Sequence, residues 1–270
     1  MPREQLYGSA FANMARTVHI LARQVPAPQR VPHKHSFVYR YVERTAHQAI
    51  VQKLARVVTT LTACHVLMGR GLVQEQAALQ RILHELHEDV MFLSYGLIDG
   101  KLTALHSEYL DAFYKEEFDH DDPIKSTQKR PMVRRSKIHA YISKMESAGI
   151  DPSTGVALYG TLTKAYSGYV HAASPQIMDM YGGHPPHFHV AGMLGTRRQT
   201  EHRLDLWNYF YRSILSFGFA AKAFGDAELF GQIRAFVAEF ERQANKNYTP
   251  SDEPNTVNLD GCLKLEVQHL

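Results

Sequence analysis

The apolar residues of segment 72–98 recur at helical spacing, and this pattern constrains the fold more than any other feature of the chain. They are Leu79, Ile82, Leu83, Leu86, Val90, Leu93 and Leu97. At about 100° per residue these side chains fall within roughly 100° of arc, the width of a helix face buried in a core. The segment therefore predicts a long amphipathic helix that packs inside a helical protein.

Helical periodicity continues along most of the remaining chain. We expect further helices at 4–24, 37–69, 101–118, 132–147, 154–173, 197–223 and 226–246. No segment shows a convincing strand pattern. The aromatic residues that follow Glu201 lie around most of a helix circumference, which predicts a helix buried in the bundle rather than a base-stacking surface. The sequence thus predicts an all-α, multi-helix bundle.

The chain is long and apolar enough for one substantial core. It has 270 residues, of which 44% are apolar, and this excludes a disordered chain. We expect a single helical domain over 1–247, in which an N-terminal helix and a proline-rich linker (1–36) precede a helical core (37–247). The polar tail at 248–270 is expected to be an extended appendage.

Targeting and redox signals predict a soluble cytoplasmic protein without a membrane partner. The N-terminus lacks the basic start and apolar run of a signal peptide, and no stretch reaches about 18 uncharged apolar residues. Of the two cysteines, Cys64 lies in an apolar helical run and Cys262 lies near the C-terminus. This usage predicts a small core thiol at Cys64 and no disulfide framework.

The first candidate site is the sequence K-A-Y-S-G-Y-V-H at 164–171. Seven positions bring Lys164 and His171 within about 20° of one helix face, roughly two turns apart. A cation beside an imidazole suits phosphodiester chemistry, because one stabilises anionic oxygens and the other moves a proton. The alternative is a helix-terminal histidine and a solvated surface lysine.

The stretch T-L-T-K-A-Y-S-G-Y-V-H-A-A-S-P, 161–175, resembles a motif of bacterial helical proteins of the HEPN superfamily. The upstream stretch G-R-G-L-V-Q-E-Q-A-A-L-Q-R-I-L-H-E-L, 69–86, resembles the Gly turn and R-x-x-x-E helix of the same proteins. The resemblance covers about a third of the chain. It implies a HEPN-like four-helix core with extra helices, a homodimer, and RNA cleavage that needs no metal or other cofactor.

The resemblance also implies roles for individual residues. His171 takes the position of the motif histidine and Lys164 that of the motif arginine, while Tyr166 and Ser167 support them. Arg81 and Glu85 match the upstream pair. The products would carry a 2′,3′-cyclic phosphate, and the partners would be RNA and an antitoxin or another antiphage defence protein. Lysine departs from the motif, because it lacks the planar fork with which arginine grips a phosphate.

A second candidate is the Arg-x4-His pair Arg134 and His139. Five positions make these side chains diverge by about 140° in a regular helix. The surrounding basic residues form a candidate RNA-binding patch: Lys125, Lys129, Arg130, Arg134, Arg135 and Lys137. The alternative is a solvated run of charges that is neutralised by the acidic residues at 116–122.

Two histidine clusters resemble metal sites only in part. His184, His187 and His189 have a suitable ligand type, but no fourth ligand lies nearby in the sequence. We therefore expect no metal and a packed polar loop, or a loop that covers the 164–171 face. In H-E-L-H-E the histidines are three apart rather than the four of a zincin helix. His84 and Glu88 point away from the apolar stripe, so they are predicted to be solvated.

Three functions remain open from the sequence. The first is a HEPN-like endoribonuclease, a toxin or an antiphage effector. The second is a catalytically inactive helical module that binds a protein, a nucleotide or RNA. The third is a metal-dependent hydrolase that uses the loop at 184–189.

Overall fold

The computed structural model describes residues 3–33, 35–120, 122–127, 131–146 and 152–246. It is about 70% helical, which confirms the all-α multi-helix bundle. The helices in these ranges are α1 Arg3–Ala22, α2 Ala46–Gly69, α3 Val73–Ile98, α4 Ala104–Tyr114, α5 Arg135–Glu146, α6 Pro152–Val170, α7 Ser174–Met178, α8 Arg197–Ala223 and α9 Ala227–Gln243. A 3-10 turn spans Pro123–Lys125. The predicted tail at 248–270, with Cys262, lies outside the described residues.

Two small antiparallel hairpins interrupt the helical pattern. One pairs β1 (Gln29–His33) with β2 (Ser36–Arg40), and the other pairs β3 (Tyr181–Gly182) with β4 (His187–Phe188). The prediction that the chain contains no strand is therefore wrong at these two places. Short strands of this kind carry too little alternation to stand out from neighbouring helices.

The predicted helix at 37–69 begins later than its apolar pattern indicated, because a capping box fixes its start. The Thr45 hydroxyl accepts the Gln48 backbone N–H at 3.2 Å, and the Gln48 side chain accepts the Thr45 N–H at 3.1 Å. Such reciprocal bonds satisfy donors that the first helical turn leaves free. The residues before Thr45 include β2, so the aromatic residues there belong to a hairpin.

The core lies around α3 and α8. Helix α3 packs against α2, α5, α6 and α8, while α8 also packs against α1 and α9. The apolar stripe of α3 is turned inward as predicted, with Leu83, Val90 and Leu93 buried. The predicted burial of the aromatic helix is also confirmed, because Trp207 and its aromatic neighbours on α8 are buried.

Helix α2 is the one described helix that is long and apolar enough to cross a membrane by length and composition. It packs against α1, α3 and α8, as the core helix of a soluble protein does. Cys64 on this helix is fully buried, which confirms its predicted place in the core. Lys53, also buried on α2, pairs with Asp89 of α3.

Helix α6 ends at Val170, earlier than predicted. Ala172 adopts a left-handed conformation with φ of 51°, and the Ala173 N–H donates to the Gly168 carbonyl at 2.9 Å. This is the bond of a Schellman-type helix end. Pro175 then lies in the first turn of α7 rather than acting as the stop, because proline fits that turn without losing a hydrogen bond.

Candidate functional site

The C-terminal half of α6 exposes the predicted lysine and histidine on one face. Lys164 and His171 are both exposed, and Ser167 between them is half-buried. The His171 N–H donates to the Ser167 carbonyl at 3.0 Å, so helical bonding extends to the histidine. Seven residues at helical rise place the two side chains about 10 Å apart along the axis. The structure therefore brings Lys164, Ser167 and His171 onto one open stripe.

The tyrosines of the same motif face the other way, toward α8. The Tyr166 hydroxyl donates to Asp205 Oδ2 at 3.4 Å, and its ring meets the Tyr209 ring edge-on at 5.8 Å between centroids. Burial raises the pKa of Tyr166 well above its usual range, so its hydroxyl stays protonated. The structure thus does not bring the Tyr166 hydroxyl to the stripe of Lys164 and His171.

Arg81 and Glu85, the residues that match the upstream pair, form an ion pair along α3, and Arg81 contacts α6. Arg81 Nη2 is 2.7 Å from Glu85 Oε1, and Arg81 Nη1 donates to the Thr163 hydroxyl at 3.5 Å. Thr163 directly precedes Lys164, so the Arg81 guanidinium borders the exposed stripe from the side of α3. The side chain of Arg81 is 18% exposed.

A half-buried polar network holds the end of α6 against α8. Asp179 accepts the Tyr169 hydroxyl at 3.1 Å and also pairs with Arg198. His202 Nε2 lies 3.4 Å from the Tyr169 hydroxyl, and burial lowers the pKa of His202 to about 4. Sequence reasoning missed Asp179, Arg198 and His202, because their partners come together only when α7 turns back toward α8.

The second candidate pair is not assembled. Arg134 is exposed just before α5, whereas His139 is only 4% exposed and turns into the core. The divergence of about 140° predicted from their spacing accounts for this separation. Arg134 and His139 therefore do not share a site.

The predicted basic patch is also divided. Lys137 pairs with Glu108 at 3.3 Å, Lys125 pairs with Asp122 at 3.6 Å, and Arg135 points inward. Lys129 and Arg130 lie outside the described residues. Neutralisation by the acidic segment 116–122 is thus present for Lys125, whereas Lys137 pairs with an acid outside that segment.

The prediction that His84 and Glu88 are solvated is wrong. Their exposed fractions are 1% and 0%, because α5 covers this part of α3. Glu88 Oε1 lies 2.9 Å from Nε2 of His84 and 2.9 Å from Nε2 of His139, in close contacts rather than aligned hydrogen bonds. Glu88 Oε2 accepts from Arg135. A sequence signal existed: His84 and Glu88, like Arg135 and His139, are four positions apart and share a helix face.

Arg135 joins Glu88 to its neighbour Asp89, which also accepts from Lys53 Nζ at 2.7 Å. Burial raises the pKa of Glu88, but the contacts with His84, His139 and Arg135 outweigh burial and hold the pKa well below its usual range. Both carboxylates are therefore ionised and paired. Both carboxylates are buried and the Arg135 side chain is 26% exposed, so we assign the cluster to the packing of α3 against α5.

The three histidines at 184–189 lie on or beside the second hairpin. His187 Nδ1 is 2.9 Å from the Pro185 carbonyl, and the His187 and His189 rings are 4.6 Å apart between centroids. Within the described ranges, no group of three or more His, Cys, Asp or Glu side chains is placed to hold a metal ion. A hydrolase built on this loop has no support from the arrangement of His184, His187 and His189.

Comparisons with protein-family models, with curated proteins and with solved structures found no match for the chain. Any functional assignment must therefore rest on the residues of α3 and α6 themselves.

Proposed function

We propose that the chain is a HEPN-like, metal-independent endoribonuclease whose active site is the exposed stripe of α6. The observation that carries this proposal is the placement of Lys164 and His171 on one open face, with Arg81 held beside it by Thr163. Two cations and an imidazole on one surface are the groups that cleavage of an RNA phosphodiester needs.

The chemistry follows from these groups. His171 takes the proton of an RNA 2′-hydroxyl, whose oxygen then attacks the adjacent phosphorus. The bond from phosphorus to the 5′-oxygen breaks, and that oxygen receives a proton from the protonated His171, which returns to its neutral form. Lys164 and Arg81 stabilise the negative charge on the non-bridging oxygens. The products are a 2′,3′-cyclic phosphate and a 5′-hydroxyl, and no cofactor takes part.

The active form in this proposal is a cytoplasmic homodimer in which two α6 stripes face each other across a cleft. Large apolar side chains that are exposed between the end of α6 and the start of α8 support such an interface. Val170 and Met178 are each 48% exposed, Leu194 is 61% exposed and Val190 is 83% exposed. Clustered exposed apolar residues commonly mark protein–protein contacts. An antitoxin or another defence protein would be the regulatory partner.

The test is cleavage of total RNA by the purified chain in the presence of EDTA. We expect fragments that end in a 2′,3′-cyclic phosphate, and no fragments from His171→Ala. Expression of the wild-type chain should also slow the growth of its host, and expression of His171→Ala should not. Intact RNA together with a healthy host would overturn the proposal.

A second candidate is a catalytically inactive helical module that binds a protein, a nucleotide or RNA. The lysine at the motif arginine position favours it, and so does the inward direction of Tyr166. Lys164→Arg separates the two functions, because it restores the planar fork. The ribonuclease should keep or gain activity with this change. An inactive module should stay silent in both forms and should be recovered with a bound partner.

A further inference from the structure

The hairpin of β1 and β2 presents an exposed aromatic face between α1 and α2. Its register pairs Arg30 with Tyr39 and Pro32 with Phe37. Residues directly opposite each other in an antiparallel pair point to the same side, so these four side chains share one face. Phe37 is 44% exposed and Tyr39 is 54% exposed. We call this surface, Arg30, Pro32, Phe37 and Tyr39, the aromatic face.

The opposite side of the hairpin is attached to the body of the protein. Val31 and Val38, which pair with each other, are half-buried there. Arg40 forms a two-pronged ion pair with Glu116, with Nε 2.6 Å from Oε1 and Nη2 3.0 Å from Oε2. Such paired contacts fix orientation as well as position. Val31, Val38 and Arg40 thus lie on the side of the hairpin opposite the aromatic face.

The aromatic face is already ordered. The Arg30 guanidinium carbon lies 4.5 Å from the centroid of the Phe37 ring and 5.8 Å from that of the Tyr39 ring. Arg30 Nε donates to the Tyr39 hydroxyl at 3.2 Å. A guanidinium stacked on a ring is planar and offers a flat charged surface to a base or a phosphate. Side chains fixed before binding lose less conformational entropy when a ligand arrives.

The charge of this region matches a polyanion. Segment 29–44 contains four Lys or Arg residues and one Glu, a net charge of +3 that equals the formal charge of the whole chain. The charges of the remaining residues sum to zero, so segment 29–44 carries a net positive charge of its own.

We propose that the aromatic face binds single-stranded nucleic acid. Bases stack on Phe37, Tyr39 and the Arg30 guanidinium, and the basic residues of segment 29–44 attract the phosphates. Unpaired bases suit such a surface because each base offers a flat π-face, and aromatic stacking of this kind is largely independent of sequence. The binding goes beyond the proposed cleavage on α6, since stacking and charge attraction need no reaction.

The experiment uses the full chain with His171→Ala, which prevents cleavage of the probe. Fluorescence anisotropy is measured with labelled single strands of about 12 nucleotides, as RNA and as DNA, and with the matching duplex. We expect both single strands to bind more tightly than the duplex and to weaken as salt rises. Absence of single-strand binding would overturn the proposal. Binding of RNA alone would support it and would add the 2′-hydroxyl to what is recognised.

Variants locate the binding on the hairpin. Phe37→Ala with Tyr39→Ala should weaken single-strand binding by about tenfold or more. Tyr39→Phe keeps the ring and should bind within about threefold of the parent, which also checks that the hairpin persists. The matched control is Tyr181→Ala with Phe188→Ala, because these two rings on the other hairpin are similarly exposed and also in contact, 4.9 Å apart between centroids.

The outcomes separate this proposal from the ribonuclease proposal. The proposed binding site would be overturned if the control variant lost as much affinity for single strands as the Phe37 and Tyr39 variant. It would also be overturned if the Phe37 and Tyr39 variant lost no affinity, even if the wild-type chain cleaves RNA. Conversely, RNA left intact by the wild-type chain would remove the ribonuclease proposal, while binding that depends on Phe37 and Tyr39 would still establish the aromatic face.

Discussion

Helices α5 and α6 each carry a histidine and a cation on one face, and the two helices differ in what lies opposite that face. On α5, Arg135 and His139 both meet the buried carboxylate of Glu88. On α6, Lys164 and His171 face solvent, and neither forms an ion pair with any described residue. On α5 these residue types pack two helices together, because α3 supplies a carboxylate. On α6 they remain available to a ligand, because no described carboxylate pairs with them.

The largest expected effect is on stability, at the buried place. Glu88→Ala leaves Arg135, His84 and His139 without their shared carboxylate and should lower the free energy of unfolding by about 3–5 kcal/mol. Urea denaturation measures this change. Glu85→Ala is the matched control, because Glu85 lies one turn away on α3 with its side chain 39% exposed. It should cost less than about 1 kcal/mol. Equal losses of unfolding free energy in Glu88→Ala and Glu85→Ala would show that burial does not distinguish Glu88 from Glu85.

The next effect is on activity, at the exposed place. His171→Ala should reduce RNA cleavage by about a hundredfold or more, because general acid–base catalysis typically contributes at least that much. The free energy of unfolding should change by less than about 0.5 kcal/mol, since His171 is exposed. A marked loss of stability in His171→Ala would place this histidine with His139 as a packing residue and would remove the contrast between the two helices.

The third effect is a loss of stability at low pH, because buried neutral histidines gain protons only when the protein unfolds. Burial lowers the pKa of His87 to about 3 and that of His202 to about 4. The unfolded chain therefore binds more protons than the folded chain as pH falls below about 6.5, and each of these histidines removes about 1.4 kcal/mol of stability per pH unit there. Ionised Glu88 and Asp89 add their loss at lower pH, below the pKa of their unfolded forms.

Urea denaturation at about pH 7.5 and about pH 5.5 tests this dependence. The wild-type chain should be less stable at the lower pH, and His87→Gln should lose about 1 kcal/mol less between the two conditions. Ser216, whose hydroxyl lies 2.7 Å from His87 Nδ1, remains able to contact the amide. An identical pH dependence in both proteins would mean that His87 does not stay neutral in the fold.

The smallest effect concerns the helix end that presents His171. Ala172 has φ of 51°, a conformation that costs a residue with a Cβ atom about 1 kcal/mol. Ala172→Gly should therefore raise the free energy of unfolding by up to about 1 kcal/mol. Gly100 has φ of 64°, and an added methyl group there would meet no atom of the described residues within 4 Å. Gly100→Ala is thus the converse control and should destabilise by a similar amount. Changes of the same sign in a thermal melt would contradict this explanation.

Periodic helices were predicted well from the sequence, and contacts between distant helices were not. The prediction of 72–98 for α3 agrees with Val73–Ile98, because its apolar stripe and the glycines around it are local signals. Glu88 was assigned to solvent because its position points away from that stripe. Its burial depends on α5, which begins 47 residues later in the chain at Arg135. Spacing along one helix carries no information about such a partner.

In the candidate site, too, local spacing was predicted correctly and contacts between helices were not. The shared face of Lys164 and His171 follows from a spacing of seven, and the structure shows it. The distance of Arg81 from α6 and the turning of Tyr166 toward Asp205 depend on how three helices pack, and no local pattern specifies them. The hairpin of β1 and β2 was missed because its aromatic residues also fit the start of a helix.

The ion pairs of Arg135 with Glu88 and Asp89 also limit how α5 can dock against α3. Sliding α5 by one turn along α3, about 5.4 Å, would carry its guanidinium past Glu88 and Asp89 and leave both buried without their shared cation. An apolar contact surface would tolerate such a slip far better, because one aliphatic side chain can replace another. The ionic cluster therefore disfavours other alignments of the two helices, in addition to its effect on stability.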